Sequence, residues 1–214
     1  WHHQKLNLQL DFMKRNNYGV SYCWSIIINK NNKKTFRQPF LEGNIFDLML
    51  ADQPLCNCST LVAKKKILEE TGGFNKLLKR GNDGDLLRRL SQYNNIGVLK
   101  ENLVYYQVNT NNTNISLNNN IGIKRSLKSY KYRLVLFKKE IKSRPIIYSL
   151  ICLEISKCYA KLGNFNMALR YFINCARIQI SNMILISWRL FKIFCLIICI
   201  PFFKIKKFFL KSQD

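Results

Sequence analysis

The spacing of apolar residues changes twice along this chain. Over Lys5–Arg15, Leu6, Leu8, Leu10, Phe12 and Met13 recur between polar flanks with no Gly or Pro, which predicts a helix. Residues 16–19, Asn-Asn-Tyr-Gly, stop it. Val20–Ile28 holds Val, Tyr, Trp and three Ile in nine residues and predicts a strand. The polar residues 29–34 predict a turn, and 35–37 a short return strand, so a hairpin is expected. Gly43 precedes a short helix over residues 44–51. Beyond Pro54, residues 56–63 predict a strand and 65–71 a helix that Gly72-Gly73 closes. A Gly-rich acidic turn leads into the helix-forming run 86–90, and residues 96–99 and 103–108 predict two more strands.

After residue 108 the pattern becomes helical throughout. Residues 109–120 are Asn-rich and low in complexity, which marks a boundary. Helices are expected over 123–142, 145–162, 165–180 and 183–207. The organisation read from this is an α/β domain over 1–110, a linker over 111–122, a helical region over 123–182 and an apolar, basic C-terminal helix over 183–214.

Composition sharpens the division. The 214 residues carry a formal charge of +23, unevenly spread. Residues 1–110 hold 16 Lys/Arg against 9 Asp/Glu, and residues 111–214 hold 19 against 3. The strongly basic second half points to an anionic partner. A nucleic acid is disfavoured, because no binding motif is present and the basic residues alternate with aliphatic ones more than with stacking aromatics. The eight cysteines have no zinc-ligand spacing, and no secretory leader is evident, so a reducing, cytoplasmic setting is expected. His2-His3 lacks a nearby third ligand and reads as a surface or ligand-adjacent pair. The Asn-x-Ser/Thr triplets at Asn57, Asn111 and Asn114 are those expected by chance in an Asn-rich chain.

The chemistry concentrates in residues 72–90. Asp83 and Asp85 stand on either side of Gly84, shortly after Gly81 and directly before Leu86-Leu87-Arg88-Arg89-Leu90. Taken alone, these residues read first as a helix N-terminus with Asp as cap and dipole partner. A carboxylate held in a flexible turn can also reach a ligand.

The order of features over residues 1–108 resembles the C-terminal half of a family 2 glycosyltransferase domain of the GT-A fold. Trp1, Lys5, Leu6 and Gln9 match a Trp-x-x-x-Lys-Leu-x-x-Gln segment. Gly43-Asn44-Ile45 with Leu48 resembles the Gly-x-Ile turn before the acceptor region. Residues 59–75 look like the strand, helix and Gly-Gly-Phe-Asp turn. Gly81-Asn82-Asp83 with residues 86–90 resembles the Glu-Asp motif and its Leu-x-Arg-Leu helix, and residues 101–106 look like the closing strand. The implied fold class is α/β, a partial GT-A (nucleotide-diphospho-sugar transferase-like) domain, followed by an all-α C-terminal region.

The resemblance implies inverting transfer of a sugar from a nucleotide-sugar donor to a glycan or lipid-linked acceptor, in surface polysaccharide assembly, with Asp83 as the catalytic base. Arg88 or Arg89 would orient that carboxylate or meet a phosphate, against the plainer reading of a solvated helix face. Asn82, Gly43 and Asn57 complete the expected substrate-binding set, and Asp85 is expected to be structural. Two departures stand out: Asn82 replaces the usual Glu and Asn75 the usual Asp. The family also uses a divalent cation, Mg or Mn, on an upstream Asp-x-Asp. No counterpart precedes Trp1, and Asp83-Gly84-Asp85 has that spelling in the wrong place. The expectation is a fragment with acceptor-side machinery and without the donor half. The alternative is a catalytically inactive remnant or a non-enzymatic binding protein of helical-repeat type.

In the second half, residues 158–172 resemble one tetratricopeptide unit, whose small Ala160, Gly163 and Ala168 would let two helices approach closely. Such arrays normally need about three units, so a single helical hairpin packed on the α/β domain is expected. The unbroken apolar run 193–203 is 11 residues, against roughly 20 needed to span a bilayer. The basic, Phe-rich residues 204–211 follow. They suit a helix lying in the headgroup layer of an anionic membrane, hence a peripheral position at the cytoplasmic face; a buried helix is the alternative.

Overall fold

The computed structural model describes residues 1–29, 31–52, 57–107 and 120–180. The chain divides into two compact units, residues 1–117 and 118–214. The first unit is mixed α/β and the described part of the second is helical.

In the first unit, helix α1 (Lys5–Arg15) leads through a four-residue turn into strand β1 (Val20–Ile28), as the apolar pattern predicts. β1 is the centre of a four-stranded sheet. Strand β4 (Ile96–Gln107) runs parallel to it along its whole length. The other edge of β1 is shared: β3 (Leu61–Ala63) pairs antiparallel with its first part and β2 (Lys34–Arg37) with its last. Between β1 and β3 come helices α2 (Phe46–Leu50) and a 3₁₀ turn at Cys58–Thr60, and after β3 come α3 (Lys65–Glu70) and α4 (Asn82–Tyr93).

Two expectations change. The strand expected over 56–63 is a strand only from Leu61; Cys58–Thr60 is a 3₁₀ turn in which Thr60 bonds back to the Asn57 carbonyl with both its amide and its hydroxyl. The two strands expected over 96–108 are one, β4, whose pairing with β1 slips between Cys23 and Trp24 and again between Trp24 and Ser25. The polar Lys100-Glu101-Asn102 that suggested a break sits at these bulges, where extra residues are accommodated without ending the strand.

Alternation along β1 separates two faces. Val20, Tyr22 and Trp24 pack with Ile45, Met49, Leu86, Leu87, Leu90, Ile96 and Val98, so one face is covered by α4 and α2. Cys23 joins Leu103, Val104 and Leu8 on the other, beneath α1. That second face is partly polar. Lys5 and Gln9 are fully buried, Lys5 Nζ donates to Gln9 Oε1 (2.9 Å), and Gln9 Nε2 donates to Ser21 Oγ (3.1 Å) and the Thr60 carbonyl (3.0 Å). The Lys5 ammonium also lies 4.4 Å from the Trp1 ring centre. Trp1, Lys5 and Gln9, the three polar or aromatic positions of the Trp-x-x-x-Lys-x-x-x-Gln spacing, therefore form one stack tying α1 to β1 and to the 3₁₀ turn. Burial lowers the Lys5 pKa.

Gly97 marks a close approach. A Cβ there would fall 2.5 Å from Tyr18 Cδ2 and 2.8 Å from Phe12 Cε1, inside a stacked ring pair. Gly97→Ala is expected to cost about 1–3 kcal/mol by overpacking. Thermal unfolding followed by circular dichroism should show a Tm several degrees lower.

The second unit begins with α5 (Asn120–Leu136) and α6 (Lys138–Lys142). The single helix expected over 123–142 is interrupted at Phe137, whose backbone leaves helical angles while its ring is buried. α7 (Pro145–Lys161) and α8 (Phe165–Ile180) then form the expected hairpin. Pro145 opens α7 and Gly163, at φ +78°, turns the chain between the helices. Ala160 and Ala168 are buried, and Ser156 Oγ donates to the Ala168 carbonyl (2.8 Å), a bond that requires the close approach the small residues permit. Cys152, Leu153 and Cys175 form the core between the two helices, and burial pushes the Cys175 thiol up to about 11. Among the described residues, no helix is long and apolar enough to cross a membrane. Residues 183–214, for which a membrane-surface helix is expected, lie outside the described residues, as does most of the Asn-rich linker.

Candidate functional site

Helix α4 starts four residues earlier than the run 86–90 suggests. Gly81 is its N-cap and takes left-handed angles (φ 77°, ψ 19°), a conformation that suits Gly. Asn82, Asp83, Gly84 and Asp85 are thus the first turn of the helix. Asp83 is exposed, and its carboxylate accepts from the Gly84 backbone N–H at 2.9 Å. It stands where the helix dipole favours a negative charge, facing outward.

Asp85, two residues on, points the other way. It is buried and receives both Nε (3.0 Å) and Nη2 (2.8 Å) of Arg89 on one carboxylate oxygen. The same guanidinium donates to the carbonyls of Thr71 and Gly73, in the turn that follows α3. Arg88 performs the equivalent task for another segment. Its guanidinium is buried and Nη1 meets Asp52 Oδ1 at 3.2 Å and the Met49 carbonyl at 3.5 Å, at the C-terminal end of α2. Consecutive arginines on α4 therefore hold two different segments, Arg88 the C-terminal end of α2 and Arg89 the turn that follows α3. This corrects the expectation that one of them orients Asp83: each guanidinium is directed at one of those segments. Gly84 is a helical residue lying over the Arg88 guanidinium.

The 3₁₀ turn borders Asp83. The Asp83 charge adds to desolvation, the larger cause, in raising the Cys58 thiol above its ordinary pKa. Asn57, just before the turn, accepts from Arg37 Nη1 at 3.2 Å through Oδ1, while its Nδ2 is buried with no hydrogen-bond partner. Asn82 Oδ1 is likewise buried and unpartnered. A buried amide donor and a buried amide acceptor, each the neighbour of one of two electrostatically coupled residues, are the groups a hydroxyl-rich ligand could satisfy. Of the expected site residues, Asp83, Asn82 and Asn57 are brought into one region.

Gly43 is not. Its amide and carbonyl pair with those of Ile96 at 2.8 and 2.9 Å, and its φ of +80° makes the bridge possible. Ile96 opens β4, just after the C-terminal end of α4, so Gly43 lies about the length of that helix, ~18 Å, from Asp83. Its place is structural, pinning the segment before α2 to the sheet. A polar hollow of about 540 Å³ lined by Asn16, Asn17, Lys64 and Asn95 is also at this end.

Among the described residues, no group of three or more His, Cys, Asp or Glu is arranged to hold a metal ion. Asp83 and Asp85 do not converge despite their spacing, because Asp85 is turned inward to Arg89. Cys58 and Arg37 are residues of this region that sequence reasoning did not select; nothing in their spacing announces that the fold sets Cys58 near Asp83 and Arg37 against Asn57.

The link between Asp83 and Cys58 can be checked without any substrate. Asp83→Asn should lower the Cys58 pKa and speed its alkylation near pH 8. Peptide-resolved mass spectrometry of iodoacetamide labelling reads this at Cys58 alone, the exposed thiol among the described cysteines. An unchanged rate would separate the two residues.

No protein-family model matches this chain, and no curated protein matches it.

Proposed function

We propose that this chain carries the acceptor side of an inverting, family-2-like glycosyltransferase, with Asp83 as general base. The observation that carries the proposal is the contrast between two acids one residue apart. Asp85 is consumed by the fold, whereas Asp83 is exposed at the head of α4 beside two unpartnered buried amides. The ordered resemblance over residues 1–108 supports it, as does the buried Lys5–Gln9 pair, capped by the exposed Trp1 ring, formed by the residues of its first segment.

In this reading Asn57 and Asn82 hold an acceptor hydroxyl close to Asp83. The carboxylate takes the hydroxyl proton as the oxygen attacks C1 of the donor sugar. A C–O bond forms, the bond from C1 to the phosphate oxygen breaks, and the nucleoside diphosphate leaves with the electron pair. The nucleotide sugar and acceptor, a glycan or lipid-linked glycan, are substrates. A divalent cation would serve the diphosphate. The described residues offer no ligand set for it, so no step here passes through it. The work would take place at the cytoplasmic face of a membrane.

The test is sugar transfer by the longest natural reading frame that contains these residues. It would be assayed with a panel of nucleotide sugars, Mg²⁺ or Mn²⁺, and glycan and lipid-linked acceptors. Transfer that depends on Asp83 supports the reading. A panel with no transfer and no binding of any nucleotide sugar removes it.

A further inference from the structure

The helical unit holds an apolar groove of about 610 Å³, a volume typical of small-ligand sites. Leu134 and Val135 of α5, Ile141 of α6, Pro145 and Tyr148 of α7, and Ile178 of α8 form its walls. The Tyr148 hydroxyl is hydrogen-bonded to the Cys152 thiol, and its pKa is pushed up to about 12, mainly by desolvation. The wall therefore presents no free polar group from Tyr148.

The rim has a different character. Lys138 and Lys142 stand one helical turn apart on α6, both exposed. Among the described residues, no carboxylate forms a salt bridge with either. An apolar trough with two ammonium groups on one rim complements an amphiphile with an anionic head.

Charge also disfavours the other occupants. The apolar residues that follow α8 in sequence, 183–203, contain Arg189 and Lys192 and no acid, so they bring nothing to satisfy the rim. A second copy of a helical half with 19 basic and 3 acidic residues would meet repulsion at the same place. We infer that this groove takes one acyl chain of an anionic membrane lipid, with the lipid phosphate held by Lys138 and Lys142. The inference is independent of the glycosyltransferase reading and of Asp83. It would give the chain a membrane contact built from its described helices.

Photolabelling locates the lipid. The full chain is mixed with vesicles containing phosphatidylglycerol that carries a diazirine on one acyl chain, irradiated and digested. Adducts are expected on residues 134–148 and around Ile178. Lys138→Ala/Lys142→Ala should lower labelling there roughly tenfold. The matching phosphatidylcholine probe should label the wild type about as weakly. Val135→Glu, at a position 74% exposed and so safe for folding, should abolish labelling of the groove while leaving the circular dichroism spectrum unchanged. Adducts confined to residues 181–214 or spread evenly would overturn the proposal. So would equal labelling by the phosphatidylcholine probe, or labelling that ignores all these substitutions.

Discussion

Asp83→Asn is expected to lower sugar transfer about 10²–10⁴-fold, the usual contribution of a positioned general base. The substitution keeps the size of the side chain and removes its ability to take a proton at neutral pH. The fold should survive it. Asp83 is exposed, and its described contact is with the Gly84 N–H, which an amide oxygen can still receive. The cost to the fold is the loss of a charge near the helix N-terminus, about 0.3–1 kcal/mol. The variant should therefore unfold at nearly the wild-type temperature while kcat falls and acceptor binding changes little. Turnover close to that of the wild type would remove Asp83 as the base. A fall in activity matched by a fall in Tm would make its role structural.

The second large effect concerns the partner of the next acid, Asp85, and is of the opposite kind. Arg89→Ala should destabilise the first unit by about 3–5 kcal/mol, because it leaves the buried Asp85 carboxylate without its partner. It also strips the Thr71 and Gly73 carbonyls of their donor. Replacing both partners, Asp85→Leu with Arg89→Leu, should cost less than Arg89→Ala alone, since no charge is then left buried. Urea unfolding of the three proteins measures this. If the single and double replacements cost the same, the ion pair does not hold α4 to the turn after α3. The two acids thus separate by expected outcome: Asp83→Asn should lower turnover in a stable protein, and removing the Arg89 partner of Asp85 should loosen the protein itself.

The same contrast shows which features the residue pattern could reveal. The helix Lys5–Arg15 and the strand Val20–Ile28 follow from their own residues, because uninterrupted periodicity and β-branched density suffice over that length. The α7–α8 hairpin was equally legible, with Pro145 at its start, Gly163 at its turn and small residues at its crossing. The 3₁₀ turn at Cys58–Thr60 was not, since the residues there are as compatible with a strand until Thr60 commits its hydroxyl to the Asn57 carbonyl. Nor was the continuity of β4. Polar Lys100-Glu101-Asn102 reads as a break, and only pairing with β1 through two slips keeps the strand whole.

The candidate site divides along the same line. The sequence by itself determined that an acid-bearing, Gly-capped helix start follows a strand, a helix and a Gly-Gly turn, and that Asp83 and Asp85 were the acids to choose between. Local spacing carries that much. It also pointed to Lys5 and Gln9, whose four-residue interval puts them on one side of α1, and to Trp1 just before that helix. What only the tertiary structure decided is which way each side chain faces. Asp83 and Asp85 occupy successive directions around a helix, so one meets solvent and the other meets Arg89. Arg88 and Arg89 are spent on the end of α2 and the turn after α3, whose bonded carbonyls lie 16 to 39 residues earlier in the chain. Gly43 is carried to the far end of the sheet by its bridge to Ile96, and Asn57 is brought towards Asp83 by a turn no pattern announced. These are long-range hydrogen bonds and packing choices, and periodicity along a chain holds no information about which distant carbonyl a guanidinium will reach.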